Sequence, residues 1–242
     1  MPYPPRFRRR EMSGSKAETG ARHSPPGFAA LKQWFAESGL PLQERQYQLL
    51  WQYHRLIRKR NAEYDLTRIY QFDNMVQKHY IDCVLAAKLM KWKLPSPLLD
   101  IGTGPGLPGI PLKIVCPDTE LILSEGRHKR VQFLHEVVQT LGLNGVEVYG
   151  HKIHSSFNRR VSGVITRALE SIPKTLSRVT GCLVQRGLAI FMKGPQCGEE
   201  LEIARKTLHD DFRLIMDKAY TIPHSPHRRR LVVYERISDT AA

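Results

Sequence analysis

No stretch of this 242-residue chain approaches the roughly 18 consecutive apolar residues that a membrane-spanning helix needs, and the N-terminus lacks the apolar centre of a secretory signal. These gaps lead us to expect a soluble, cytoplasmic protein with no membrane partner. Cysteine is scarce. Cys83, Cys116, Cys182 and Cys197 form no C-x-x-C pair, which argues against a zinc ribbon or a thiol redox motif. His151-x2-His154 and His224-x2-His227 lack the acidic or cysteine partners of a metal site, so no metal is expected. Acidic residues are also short, 23 Asp and Glu against 37 Lys and Arg, and the resulting +14 favours a polyanionic partner such as RNA.

What is present divides into three stretches. Residues 1–26 carry several prolines, six Lys or Arg against two Glu, and almost no large apolar side chain, so a disordered basic tail is expected. Residues 27–92 show helical apolar spacing. Leu42, Leu49, Leu50, Tyr53, Leu56 and Ile57 fall on one face, Pro41 suits a first helical turn, and a second helix is expected over Phe72 to Met90. From residue 93 to 242 the period changes after Pro95-Ser96-Pro97. Short apolar runs at Leu98–Ile101, Glu120–Ser124, Val146–Tyr149, Gly163–Thr166, Ala189–Met192, a weak one near Phe212–Met216, and Arg230–Ile237 read as strands. Helices are expected between the first five, Lys129 to Leu141 among them. This alternation implies an α/β fold with a parallel sheet and helices on both faces.

The strongest chemical signal is Leu98-Leu99-Asp100-Ile101-Gly102-Thr103-Gly104-Pro105-Gly106-Leu107-Pro108-Gly109, a glycine-rich turn directly after the first expected strand. Glycines there let the backbone approach a ligand in the crevice at the carboxyl ends of the strands. Pro108 and Pro111 suit the start of a following helix, whose free amides are expected to face the same crevice. Gly104, Gly106 and Gly109 also spell the G-x-G-x-x-G of dinucleotide enzymes, a weak signal alone. Asp100 favours S-adenosylmethionine, whose sulfonium and ammonium a carboxylate helps to hold directly or through water, whereas a pyrophosphate would be repelled. Glu125, after the second strand, sits where ribose hydroxyls are received and fits either cofactor.

Asp100 to Ile114, DIGTGPGLPGIPLKI, followed by Lys129-Arg130-Val131-Gln132-Phe133-Leu134, closely resembles the RsmG (GidB) family of ribosomal RNA guanine-N7 methyltransferases. Ala62 to Thr67 (AEYDLT) is similar to that family's AYNLT segment, and Lys78 to Cys83 (KHYIDC) to its RHxxDS helix. Thr166-Arg167-Ala168 is similar to its SRA, Met192-Lys193-Gly194 to its LKG, and Arg229 to Tyr234 to its final strand. The resemblance spans roughly Leu40 to Ile237. It implies S-adenosylmethionine as cofactor, with contacts at Gly102, Leu107, Ile153, His154 and Arg167, and a Rossmann-like class I methyltransferase sheet, mostly parallel with its last strand antiparallel. With the loop reading, the expected cofactor set is Asp100, Gly102, Thr103, Gly104, Gly106, Leu107, Glu125, Ile153, His154 and Arg167. Three positions depart from the family: Glu125 for a usual Asp, His154 for a usual Glu, and Lys152 for a usual Arg.

Guanine N7 carries a lone pair and no proton, so its methylation requires positioning and no general base. Arg167, just past the fourth expected strand, is the positioning candidate, with a structural ion pair as its alternative role. Arg127, Lys129, Arg130, Arg159, Arg160, Lys193, Arg228, Arg229 and Arg230 are candidate RNA contacts, expected to surround one mouth of the sheet. The implied partner is 16S ribosomal RNA or the small ribosomal subunit, bound by a monomer. Two other functions stay open: an NAD(P)-dependent oxidoreductase using the same crevice, and a non-catalytic RNA-binding ribosome-assembly protein.

Overall fold

A computed structural model describes residues 26–239, so the tail expected to be disordered lies outside the described residues save for Pro26. Seven strands form one sheet: β1 (Leu98–Ile101), β2 (Leu121–Ser124), β3 (Val146–Tyr149), β4 (Val161–Arg167), β5 (Leu183–Lys193), β6 (Phe212–Thr221) and β7 (Arg228–Arg236). Their order is β3-β2-β1-β4-β5-β7-β6, parallel from β3 to β5, with β7 antiparallel to both its neighbours. The order reverses between β1 and β4, and that switch point opens a crevice at the strands' carboxyl ends.

Side-chain alternation along the strands separates two apolar layers. Leu98, Ile165, Ile190, Leu231 and Val233 face one core, which they share with α5 (Gly109–Val115), α6 (His128–Leu141) and the helices that precede β1. Leu99, Val164, Ala189, Phe191, Val232 and Tyr234 face the other, covered by α7 (Ile172–Val179) and α8 (Gly198–Thr207). The leading helices are α1 (Phe28–Glu37), α2 (Glu44–Tyr64), and a continuous segment of α3 (Phe72–Met75), a π-helical stretch (Val76–Ile81) and α4 (Asp82–Leu89). They bury Trp34, Phe35, Leu50, Tyr53, Ile57 and Tyr80 in the first layer, beside the sheet itself. Pro41 lies in the loop ahead of α2 and not in its first turn.

One expected helix is absent. Between β3 and β4, residues 150–160 form turns and extended chain, with Ile153 and Phe157 buried as anchors. The chain must cross from the sheet edge past β2 and β1 to reach β4. Extended chain covers about 3.3 Å per residue against 1.5 Å in a helix, so a short connection crosses best unwound. β5 outruns the sequence expectation because exposed Gln185 and Arg186 and then Gly187 interrupt its apolar run, and β6 because its added residues are mostly polar and exposed.

Candidate active site

The glycine turn is built from beneath. Asp100 is wholly buried at the middle of β1, and its Oδ2 accepts from the Thr103 hydroxyl at 2.5 Å and from the Gly109 amide at 2.8 Å. Burial pushes its carboxyl up to about 6, while those two donors pull the other way. Oδ1 has no partner. Thr103's carbonyl accepts from Gly106 and Leu107, and the Tyr53 hydroxyl of α2 donates to the Pro105 carbonyl at 2.8 Å. Gly106 has φ +104°, and a Cβ there would lie 2.5 Å from Ile110 and 3.2 Å from the Tyr53 oxygen, so only glycine fits.

These bonds overturn one expectation. The amides that open α5 are not free: Gly109 donates to Asp100, Ile110 donates to the Gly106 carbonyl, and Pro111 has none. The protein's own carboxylate fills the helix end where a dinucleotide site holds pyrophosphate.

Above the turn lies a cleft of ≈ 670 Å³. Gly102, Glu125, Ile153 and His154 line it, together with Gly126, Arg127, Arg130, Lys152, Ala168, Leu169, Glu170 and Arg178. Glu125 is held from two sides, Oε2 accepting from the Gly104 amide at 3.1 Å and Oε1 from the Arg127 amide at 2.8 Å. Spare lone pairs on both oxygens can receive sugar hydroxyls. The Ser124 hydroxyl donates to the His151 carbonyl at 2.8 Å, tying β2 to the segment that carries Ile153. Gly102, at φ +68°, is pressed by Leu169, whose Cδ1 would lie 2.6 Å from an added Cβ. Asp100, Thr103, Gly104, Gly106 and Leu107 shape the turn without lining the cleft, Leu107 from within the apolar core.

Arg167 lines a second cleft of ≈ 320 Å³, which meets the first at Ala168, a residue with φ +51°. Its guanidinium donates to the Lys78 carbonyl at 2.9 Å and lies 3.9 Å from the buried Asp82 carboxylate. Lys78, His79, Asp82, Lys193, Gly194 and Arg229 complete the walls, with Ile69 and Met192. Lys78 and His79 belong to the π-helical stretch, a form that recurs at functional sites. Burial, then Arg167, lowers the His79 imidazole to about 3, which keeps it neutral at physiological pH. Sequence reasoning placed Tyr53 on an apolar helix face and Asp82 in the KHYIDC segment but made neither a site residue, although an acid in the apolar run IDCVLAA was a visible signal.

The basic candidates do not all share one mouth. Arg127, Lys129, Arg130, Lys193, Arg228, Arg229 and Arg230 stand at the carboxyl ends of the parallel strands. Arg159 and Arg160 immediately precede β4 and so lie at the opposite end, where Arg159 pairs with Glu147. Several of the first group are already engaged: Arg130 with Glu125 and Asp65, Arg230 with Asp217, and Lys193 with Glu200 at 2.8 Å. Arg127 is open, with 66% of its side chain exposed and Asp65 3.9 Å away. No cluster of potential metal ligands occurs among the described residues.

Comparison with solved structures gives the class. The ribosomal protein L11 methylase of Lactobacillus delbrueckii superposes with a TM-score of 0.52 at 10% identity, covering 70% of this chain and 81% of that one. The fold is that of the class I methyltransferases. Sequence then narrows it: residues 46–226 match the family described as GidB, rRNA small subunit methyltransferase G. The chain belongs to that family. "Ribosomal RNA small subunit methyltransferase G 2" of Syntrophobacter fumaroxidans is 49% identical over 212 residues, covering 88% of this chain and 42% of the relative. The Bdellovibrio bacteriovorus protein of the same name is 42% identical over 194 residues, covering 80% and 75%. The chain thus spans under half the length of the first relative and three quarters of the second.

Proposed function

We propose that this S-adenosylmethionine-dependent rRNA methyltransferase methylates N7 of a guanine in small-subunit 16S ribosomal RNA, acting as a monomer in the cytoplasm on the RNA or the small subunit. The carrying observation is the joint at Ala168 between a nucleoside-sized cleft and a cleft walled by Arg167, Lys193 and Arg229. S-adenosylmethionine supplies a methyl group on a cationic sulfonium. Glu125 receives the ribose hydroxyls, Ile153 and His154 flank the adenine, and Gly102 lets the chain approach closely. Asp100, buried beneath the turn, serves indirectly, holding Thr103 and the Gly109 amide in place under the cofactor. Thr103, Gly104, Gly106 and Leu107 keep the turn in shape, and Arg167 orients the base or its phosphate.

N7 needs no proton removed, and holding nucleophile and methyl in line supplies several kcal/mol, about 7–11 in favourable cases. No helix among the described residues is long and apolar enough to cross a membrane.

Incubating purified small-subunit RNA and subunits with labelled S-adenosylmethionine tests the reading. Label on a guanine N7 is expected, and no label on RNA in any assembly state refutes it. The oxidoreductase alternative is disfavoured by the occupied start of α5. Thermal denaturation separates the two, since a ligand at about 100 times its Kd stabilises by about 2.7 kcal/mol, and only S-adenosylmethionine should do so. For the assembly-protein alternative, Gly104→Val, at φ +61°, should abolish methylation while leaving RNA binding intact. A wild-type cellular phenotype from that variant would favour the non-catalytic role.

A further inference from the structure

We propose that the cleft beside the cofactor pocket receives the target guanine unstacked from its RNA strand, and that Asp82 is the specificity-determining residue that reads its N1–H and 2-amino edge. This rests on the guanine-N7 reading above. Enzymes that act on a base take it out of the stack and recognise it by its Watson–Crick edge. The second cleft is placed for this, because it touches the cofactor cleft at Ala168.

Asp82 is the only acid lining that cleft among the described residues. Its Oδ1 accepts from the Tyr220 hydroxyl at 2.8 Å, which fixes the carboxylate plane. Its Oδ2 lies 3.6 Å from Arg229 Nε and 3.9 Å from Arg167 Nη1. Those are ion-pair separations longer than a hydrogen bond, so lone pairs on Oδ2 remain for a further donor. Guanine presents two adjacent donors, N1–H and the 2-amino group, on the edge remote from N7. Adenine presents an acceptor at N1, which a carboxylate repels.

The charge balance of the reaction points to the same residue. The N7 lone pair forms the new N–C bond, and the C–S bond breaks with its electron pair staying on sulfur. The sulfonium becomes a neutral thioether, the purine becomes a cation, and no proton moves. A cation formed beside Arg167, Lys193 and Arg229 is opposed by all three, and Asp82 is the wall group of the sign that offsets it.

The test uses small-subunit particles carrying guanosine or inosine at the methylated position. Inosine keeps N7, O6 and N1–H and lacks only the 2-amino group. Wild-type kcat/KM is expected to favour guanosine about tenfold or more, the value of one hydrogen bond to a charged group. Asp82→Asn should bring that ratio to within about twofold of unity while calorimetry shows S-adenosylmethionine binding unchanged, a split that loss of structure alone does not produce. If Asp82→Asn fails to fold, the wild-type ratio decides. Equal use of inosine and guanosine by the wild type overturns the assignment of Asp82, as does a full preference retained by Asp82→Asn. Transfer to neither particle overturns the parent reading and this inference with it.

Discussion

The two clefts that meet at Ala168 are built in opposite ways. The turn under the cofactor cleft is tied down by hydrogen bonds: Asp100 braces residues three and nine positions ahead of it through Oδ2, while Glu125 and Tyr53 hold Gly104 and Pro105 from outside the turn. The neighbouring cleft gathers Lys78, His79, Asp82, Arg167, Lys193 and Arg229 from segments far apart in the chain, and its Asp82–arginine separations are 3.6 and 3.9 Å. One wall is fixed by satisfied backbone groups; the other is a balance of charges that can be redistributed by an incoming base. A cofactor common to many methyltransferases suits the first, and discrimination among nucleotides suits the second.

Breaking the turn should have the largest effect. A Cβ on Gly109 would lie 2.5 Å from Leu123 and 2.7 Å from Asp100 Oδ2. Gly109→Val is therefore expected to destabilise by about 3 kcal/mol in chemical denaturation and to abolish cofactor binding in calorimetry. Retained binding would mean that the turn yields more readily than its hydrogen bonds suggest. Damage to the second cleft should instead spare the cofactor. Arg167→Ala is expected to lower kcat/KM for RNA about a hundredfold with S-adenosylmethionine affinity within about threefold, and lysine should not restore it because it lacks the planar fork.

Acid should act in opposite directions on the buried histidines and the buried carboxylates. Burial holds His54 at about 4 and His79 at about 3, below the ordinary 6.5, so their contribution is full above 6.5 and is lost as pH falls toward those values. Asp100, raised to about 6, behaves in reverse: its contribution is full below its ordinary 3.8 and is lost as pH rises through 6, and Asp82, also raised, shares that sign. Between pH 6.5 and 5 the histidines together give up about 3 kcal/mol and Asp100 returns about 1, so the melting temperature should fall. A flat profile would break the comparison, and His79→Asn should lessen the slope. The smallest effects belong to the rim. Arg127→Ala should weaken RNA binding about threefold and reduce the salt slope by about one, whereas Arg159→Ala, at the other end of the sheet, should stay within about twofold.

The contrast also explains what could be read from the amino acids alone. β1, β3 and the α6 boundary were legible because apolar runs and a glycine at the helix end are local signals, and Gly102 and Glu125 follow from position after a strand. The occupied start of α5 was not legible, since nothing in the spacing shows that Asp100 turns toward Gly109 and away from the crevice. Arg159 and Arg160 were grouped with the mouth on charge alone, although their place just ahead of the fourth expected strand already puts them at the opposite end of the sheet. Asp82 looked like one polar residue in a helix, because its partners Tyr220 and Arg229 are brought to it only by the closing β6–β7 hairpin.

Tyr53 hands its hydroxyl to the Pro105 carbonyl from a helix that ends well before the sheet begins. Excising residues 93–242 as a free-standing catalytic module would therefore strip a strut from the turn itself. On the proposed reading, a fragment that keeps the turn as described has to include α2.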